Sequence, residues 1–324
     1  MTATTDTTTD TGTAFGSPAP VLSYSPVVLS VPGRPVDLQV RVSAPATGTG
    51  LPVILLSHGH GGSNNLSSLN GYAPIANLWA AAGFVVMQPT HLSSSTLSRE
   101  LTGAPGGPFF WRSRAEDMSH ILDRLDEIEK TVPQLAGRID HDKIAVAGHS
   151  LGGHTAGLLL GARSADPDTG EEVNLTEPRI RAGVLLAAPG RGGDVLNGSM
   201  ADKVPFFKTT DFSTMTTPTL VVAGDKDDST HFTDIGPAWH TDPYRLAPAP
   251  KTLLTLFGAE HLLGGISGYD ADETTDESPE RVAALARLTA AYLRTQFLPD
   301  DHSWQTACEA LTTGADPAGR VEFK

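Results

Sequence analysis

Gly148-His149-Ser150-Leu151-Gly152 sets a serine between two glycines, directly after the apolar run Ile144-Ala145-Val146-Ala147 and directly before a helical run from Leu151 to Ala162. A nucleophile at a strand-to-helix turn requires that order. The glycines let strand and helix approach, the turn lifts the hydroxyl above the strand end, and the amides at the helix start favour negative charge. The competing reading is a phosphate-binding turn, which needs Lys-Ser/Thr after the glycines or a G-x-G-x-x-G fingerprint. This chain continues with Gly153-His154 instead. Attack of Ser150 on a carbonyl is the chemistry that the spacing favours.

An unactivated serine is a poor nucleophile, so a histidine must take its proton and a carboxylate must hold that histidine. His261, in Phe257-Gly258-Ala259-Glu260-His261, follows the last apolar run and is the best-placed base among 11 histidines. His154 lies one helical turn beyond Ser150 and reads as packed or capping, while His91, His231 and His240 lie in loops that could line a pocket. For the acid, Thr219-Leu220-Val221-Val222 runs into Ala223-Gly224-Asp225-Lys226-Asp227-Asp228. Asp227 is chosen because a carboxylate beyond a strand-end turn can reach back to a histidine on the next loop. Asp225 and Asp228 stay open as alternatives, against turn capping and solvation respectively. Acyl transfer also needs donors for the developing oxyanion. Ser57-His58-Gly59-His60-Gly61-Gly62 follows the run Val53-Ile54-Leu55-Leu56, and the backbone amides of His60 and Leu151 are assigned that role, with Gly61 as the fallback for His60. His58-x-His60 could instead be a metal pair. No further cluster of ligand spacing accompanies it, so no metal is expected and the His58 ring reads as a brace for the loop.

The elements that must carry these residues are legible as a pattern. Continuous apolar runs at 53–56, 84–87, 144–147, 184–186, 220–222 and 253–257 suit strands buried on both faces of a parallel sheet. Helical segments fall between them at 72–82, 113–132, 151–162 and 279–297, the last with Ser278 as N-cap and Pro279 in the first turn. The fold expected is α/β, a mostly parallel, doubly wound sheet with helices on both faces. An N-terminal antiparallel hairpin precedes it, turning at Pro32-Gly33-Arg34-Pro35. Residues 1–19 are nearly devoid of large apolar side chains and read as a disordered tail, leaving 20–324 as one domain. Long loops near 91–112 and 190–217 follow strand ends, where ligands bind in open α/β sheets, and are expected to wall the pocket. Segment 163–178 is polar and reads as a solvent excursion.

Net charge is −14, with no Lys/Arg cluster to neutralise phosphates, so nucleic acid is not expected as a partner. No run approaches the ~18 apolar residues of a membrane span. Cys308 is the only cysteine, which rules out an intramolecular disulfide, and the N-terminus lacks the charged and apolar regions of a secretory signal. A cytoplasmic location is expected.

The order Ser150, Asp227, His261 is the chain order of α/β hydrolases. With HGHGG at 58–62, WRSRAEDMSHILDRL at 111–125, GHSLGGHTAG at 148–157, GDKDD at 224–228 and GAEH at 258–261, the chain resembles one branch of that superfamily. It is the predicted dienelactone hydrolase, chlorophyllase and platelet-activating-factor-acetylhydrolase-like branch, and the likeness runs from about Val27 to Ala310. SWQTACEAL resembles a short terminal helix common there. The resemblance implies the α/β-hydrolase fold and ester hydrolysis through Ser150, Asp227 and His261 without a cofactor. True dienelactone hydrolases use a cysteine nucleophile, so their own reaction does not carry over. Polyester hydrolases are similar in architecture but usually have Met where this chain has Leu151. Phe109, Phe110, Trp111, Phe206 and Phe207, on the two long loops, are expected to make an apolar aromatic pocket for an uncharged, moderately hydrophobic ester. The alternatives are a polyester- or lipid-ester-cleaving hydrolase, a serine peptidase on the same fold, and a non-catalytic ligand-binding protein.

Overall fold

The computed structural model describes residues 19–61, 69–97, 100–101, 103–312 and 317–324. The strands are β1 (Val21–Leu29), β2 (Leu38–Pro45), β3 (Leu51–Ser57), β4 (Val85–Pro89), β5 (Ile139–His149), β6 (Arg163–Ala165), β7 (Glu172–Asn174), β8 (Ile180–Leu186), β9 (Thr219–Gly224), β10 (Lys251–Leu256) and β11 (Gly319–Phe323). The helices are α1 (Ala73–Ala81), α2 (Trp111–Leu122), α3 (Leu125–Thr131), α4 (Leu151–Leu159), α5 (Gly198–Lys203), α6 (Pro205–Lys208), α7 (Asp242–Leu246), α8 (Pro279–Phe297) and α9 (Ser303–Thr312).

Among the described residues, nine strands form one sheet in the order β1-β2-β4-β3-β5-β8-β9-β10-β11. The six strands from β4 to β10 run parallel. The β1–β2 hairpin and β11 pair antiparallel at the two edges. Alternate side chains of each parallel strand enter opposite cores. Leu55, Val146, Leu185 and Val221 pack with Met118 and Ile121 of α2 and Leu159 of α4. Ile54, Leu56, Ala147, Val184 and Val222 pack with Trp79 of α1 and Leu285 and Leu293 of α8. Burial on both faces is why these strands read as unbroken apolar runs. No helix among the described residues is long and apolar enough to cross a membrane.

Helix α8 begins as its sequence dictates. The Ser278 hydroxyl accepts from the Arg281 N–H at 3.2 Å, with Pro279 in the first turn. On its inner face, Thr289 Oγ1 accepts the Trp79 indole N–H at 2.8 Å, tying α8 to α1.

Three expectations need correction. The helix expected over 113–132 is two, α2 and α3, because Arg124 leaves helical geometry at φ −122°, ψ 23°. Met118, Ile121, Leu125 and Ile128 are buried in one core, so the apolar period carries across the break. The excursion at 163–178 contains the β6–β7 hairpin, whose turn is held by the Asp166 carboxylate accepting the N–H groups of Asp168 at 2.9 Å and Thr169 at 3.3 Å. The loop 190–217 carries α5 and α6. The tail expected over 1–19 lies outside the described residues except for Ala19, whose N–H donates to the Ala81 carbonyl at 3.1 Å.

Candidate active site

Ser150 links β5 to α4 at φ 54°, ψ −122°, a conformation rare for a residue with a side chain. Its N–H is held by the Leu186 carbonyl of β8 at 3.0 Å. The flanking glycines are sterically required. A Cβ on Gly148 would run into the Gly152 carbonyl, and one on Gly152 into the Ser57 carbonyl at the end of β3. The sharp turn fixes the hydroxyl at the C-terminal end of the sheet.

His261 and Asp227 converge on that hydroxyl from the loops after β10 and β9. His261 Nε2 lies 2.9 Å from Ser150 Oγ, and His261 Nδ1 lies 2.7 Å from Asp227 Oδ2. Asp227 is 1% exposed, whereas Ser150 and His261 are half-buried. Burial alone would raise the Asp227 carboxyl, but hydrogen bonds from His240 and His261 outweigh that and hold it well below the usual carboxylate range. The two alternative acids are placed differently. Asp225 Oδ1 accepts the Gly258 N–H at 2.7 Å, bracing the turn after β10, and Asp228 is exposed. Asp227, His240 and His261 are a conceivable metal triplet. The 2.7 Å between Asp227 and His261 is shorter than the roughly 3.3 Å edge of a tetrahedral site with ~2.0 Å bonds, so the three are spaced as hydrogen-bond partners.

The loop after β3 is tied to the base through a chain of hydrogen bonds that sequence reasoning missed. The Gly59 N–H donates to Tyr72 Oη at 2.9 Å, Tyr72 donates to His149 Nδ1 at 2.7 Å, and His149 Nε2 donates to the His261 carbonyl at 2.8 Å. With Nε2–H given to the carbonyl, a neutral ring leaves Nδ1 to accept the Tyr72 hydroxyl. Burial, aided by the nearby His261, brings that ring down to about 3. His149 occupies the variable position of the serine motif, and nothing in the sequence marks it as the link between two loops.

Beneath the same loop, the buried Arg114 of α2 donates to the His58 carbonyl, to Ser57 Oγ at 3.2 Å, to Ser93 Oγ at 2.5 Å and to Thr155 Oγ1 of α4 at 3.0 Å. His91 is buried there too and is not among the residues lining the cavity at Ser150. Its Nε2 is 3.0 Å from Ser57 Oγ and its Nδ1 is 2.9 Å from Asp117, which Arg34 also binds at 2.9 Å. The His58 ring braces the loop as expected, with Nδ1 2.7 Å from the Gly59 carbonyl and Nε2 accepting the His91 N–H at 3.3 Å.

His60, Gly61 and Leu151 line a cavity of about 620 Å³ over Ser150. Leu151 opens α4, so its N–H has no intrahelical acceptor. Gly62 lies outside the described residues. Of the five aromatic residues expected in the pocket, Phe109 and Phe207 line this cavity, joined by Val204, Phe232 and Trp239. Phe110, Trp111 and Phe206 are the correction. They are buried, with Trp111 and Phe206 stacked at 5.7 Å, and they line a neighbouring cavity because α2 starts at Trp111 and turns these rings away from Ser150. His154 packs against Phe206 and Phe207 at 5.3 and 5.0 Å, as a packed residue rather than a base. His231 and His240 do line the cavity. Comparison with protein-family models and with curated proteins finds no match to this chain.

Proposed function

We propose that this chain is a serine hydrolase of the α/β-hydrolase type, of the dienelactone hydrolase, chlorophyllase and platelet-activating-factor-acetylhydrolase-like branch, acting on carboxylic esters. One observation carries the reading. His261 bridges Ser150 and the buried Asp227, at 2.9 Å on one ring nitrogen and 2.7 Å on the other. Asp227 accepts from Nδ1–H, which leaves the Nε2 lone pair to receive the serine proton.

In the proposed mechanism, His261 takes the Ser150 proton as Oγ attacks the ester carbon. The oxyanion is met by the His60 and Leu151 amides, at the positive end of α4. His261 then protonates the departing alcohol oxygen, and an acyl-enzyme remains on Ser150. A water deprotonated by the same ring releases the acid.

The cavity supports an uncharged, moderately hydrophobic substrate. Its lining includes the apolar Phe109, Leu151, Val204, Phe207 and Trp239. It also includes Asp227, Asp228, Glu260 and Glu273 against Lys226, the one Lys or Arg among the described lining residues, so a carboxylate on the substrate meets like charge. p-Nitrophenyl butyrate should be hydrolysed, and p-nitrophenyl hemisuccinate, with the same leaving group and an anionic acyl end, should have a kcat/KM at least about tenfold lower. Absence of turnover on neutral esters of every chain length would count against the ester reading.

A further inference from the structure

A second cavity, of about 900 Å³, adjoins the one over Ser150 and has no part in the serine chemistry. Among the described residues the two cavities share only Phe109. Its ring stands 4.9 Å from His60, which lines the Ser150 cavity, and 5.8 Å edge-on from Phe206, which lines the second. Residues 203–207 divide across the same boundary, with Val204 and Phe207 on the Ser150 side and Lys203, Pro205 and Phe206 on the other. Phe109 is half-buried, and Phe110 after it takes φ 48°, ψ 40°. That left-handed conformation is rare for a residue with a side chain, and such outliers cluster beside sites that hold ligands.

The second cavity suits a hydrocarbon chain. Pro108, Trp111, Pro205 and Phe206 supply apolar surface, with the Trp111 and Phe206 rings stacked at 5.7 Å. Its charges are Glu116, Asp166, Asp168 and Asp202 against Arg112 and Lys203, and Asp166 already holds the Arg112 guanidinium at 2.9 Å. An anionic chain end therefore meets excess negative charge, whereas a methyl end does not. The mechanism decides which half of an ester points this way. The departing oxygen must stand at His261 Nε2, which protonates it, and the ring neighbours of His261 are His149 and His240. Phe109 stands instead against His60, on the loop that meets the oxyanion, so the half leading to Phe109 is the acyl chain.

We propose that the second cavity is the distal acyl site of this hydrolase, with Phe109 as the specificity-determining partition that a long acyl chain displaces to enter it. The substrate class is then neutral esters of medium- to long-chain fatty acids. This rests on the serine-hydrolase reading of Ser150 and extends it. Each methylene that passes Phe109 leaves water for an apolar wall, which raises kcat/KM by up to about fourfold.

The test compares kcat/KM on p-nitrophenyl octanoate, kept below its micelle concentration, with that on p-nitrophenyl butyrate. The wild-type protein should favour the octanoate by at least about tenfold. Glu116→Trp brings a bulky ring into the second cavity from an exposed position on α2, and should cut the octanoate-to-butyrate ratio by at least about fivefold. Phe109→Ala opens the partition and should raise that ratio by at least about threefold. Urea midpoints establish that each variant is folded, and should one not fold, the other variant and the wild-type ratio decide. A wild-type ratio near one, a ratio that Glu116→Trp leaves unmoved, or one that Phe109→Ala fails to raise overturns the acyl site and leaves the hydrolase reading standing. No turnover of either ester by any of the three proteins overturns both.

Discussion

Asp227 and Asp228 are adjacent carboxylates in opposite surroundings, one buried between two histidines and a serine, the other exposed at the cavity rim. Substitution by asparagine separates them. Asp227→Asn presents an amide to His261 that cannot fix the Nδ1–H tautomer, and turnover should fall by about 10³–10⁴-fold, while Asp228→Asn should stay within a few-fold of wild type. Steady-state kinetics on one neutral ester checks both, and equal losses would contradict the assignment. Ser150, Asp227 and His261 could be found in the sequence because each follows the end of an apolar strand run. Tyr72, His149 and His240 could not, since what they do depends on partners brought near by folding. His149 meets Tyr72 across 77 residues of chain and the His261 carbonyl across 112.

At the scale of elements, the serine turn is the most constrained piece. Gly152→Ala would drive a methyl into the Ser57 carbonyl at the end of β3, and the backbone cannot give way as a flexible side chain could. A loss of about 1–3 kcal/mol is expected, with loss of activity as Ser150 is displaced. Gly157, in the same helix, has ordinary space at 3.9 Å from Ala162, so Gly157→Ala should be neutral or stabilise by about 0.5–1 kcal/mol through helix propensity. Urea unfolding of the two variants measures the contrast. The parallel strands and α8 are legible because burial on both faces and capping leave direct marks in the sequence. The β6–β7 hairpin and β11 leave none. The former has three-residue strands with one buried apolar side chain, Val173, and the latter is a five-residue edge strand, paired antiparallel with β10, whose Val321 is only partly buried against the core.

Across the whole molecule, the buried histidines make stability depend on acid. Burial brings His149 and His154 each to about 3, with His261 adding to the first and Arg114 to the second. Both rings are neutral in the fold, while an unfolded chain protonates them near 6.5. Their contribution is complete above pH 6.5 and is lost as pH falls from there toward 3, at up to about 1.4 kcal/mol per pH unit for each. Asp117, lifted by burial to about 6 against the pull of Arg34, works the other way between pH 6 and 4, as does Asp242, but burial lowers His58, His60 and His91 as well as His149 and His154. The melting temperature should hold from pH 8 to 6.5 and decline steadily below 6, and a value unchanged down to pH 4 would contradict this assignment of neutral rings. The central claim concerns one atom, Ser150 Oγ, and covalent labelling tests it most directly. A fluorophosphonate should add a single adduct to the intact protein, mapping to the peptide that contains Ser150, and Ser150→Ala should take up none while unfolding at the wild-type urea midpoint. Labelling that persists in a folded Ser150→Ala, or a wild-type protein that takes up no adduct, would contradict the account.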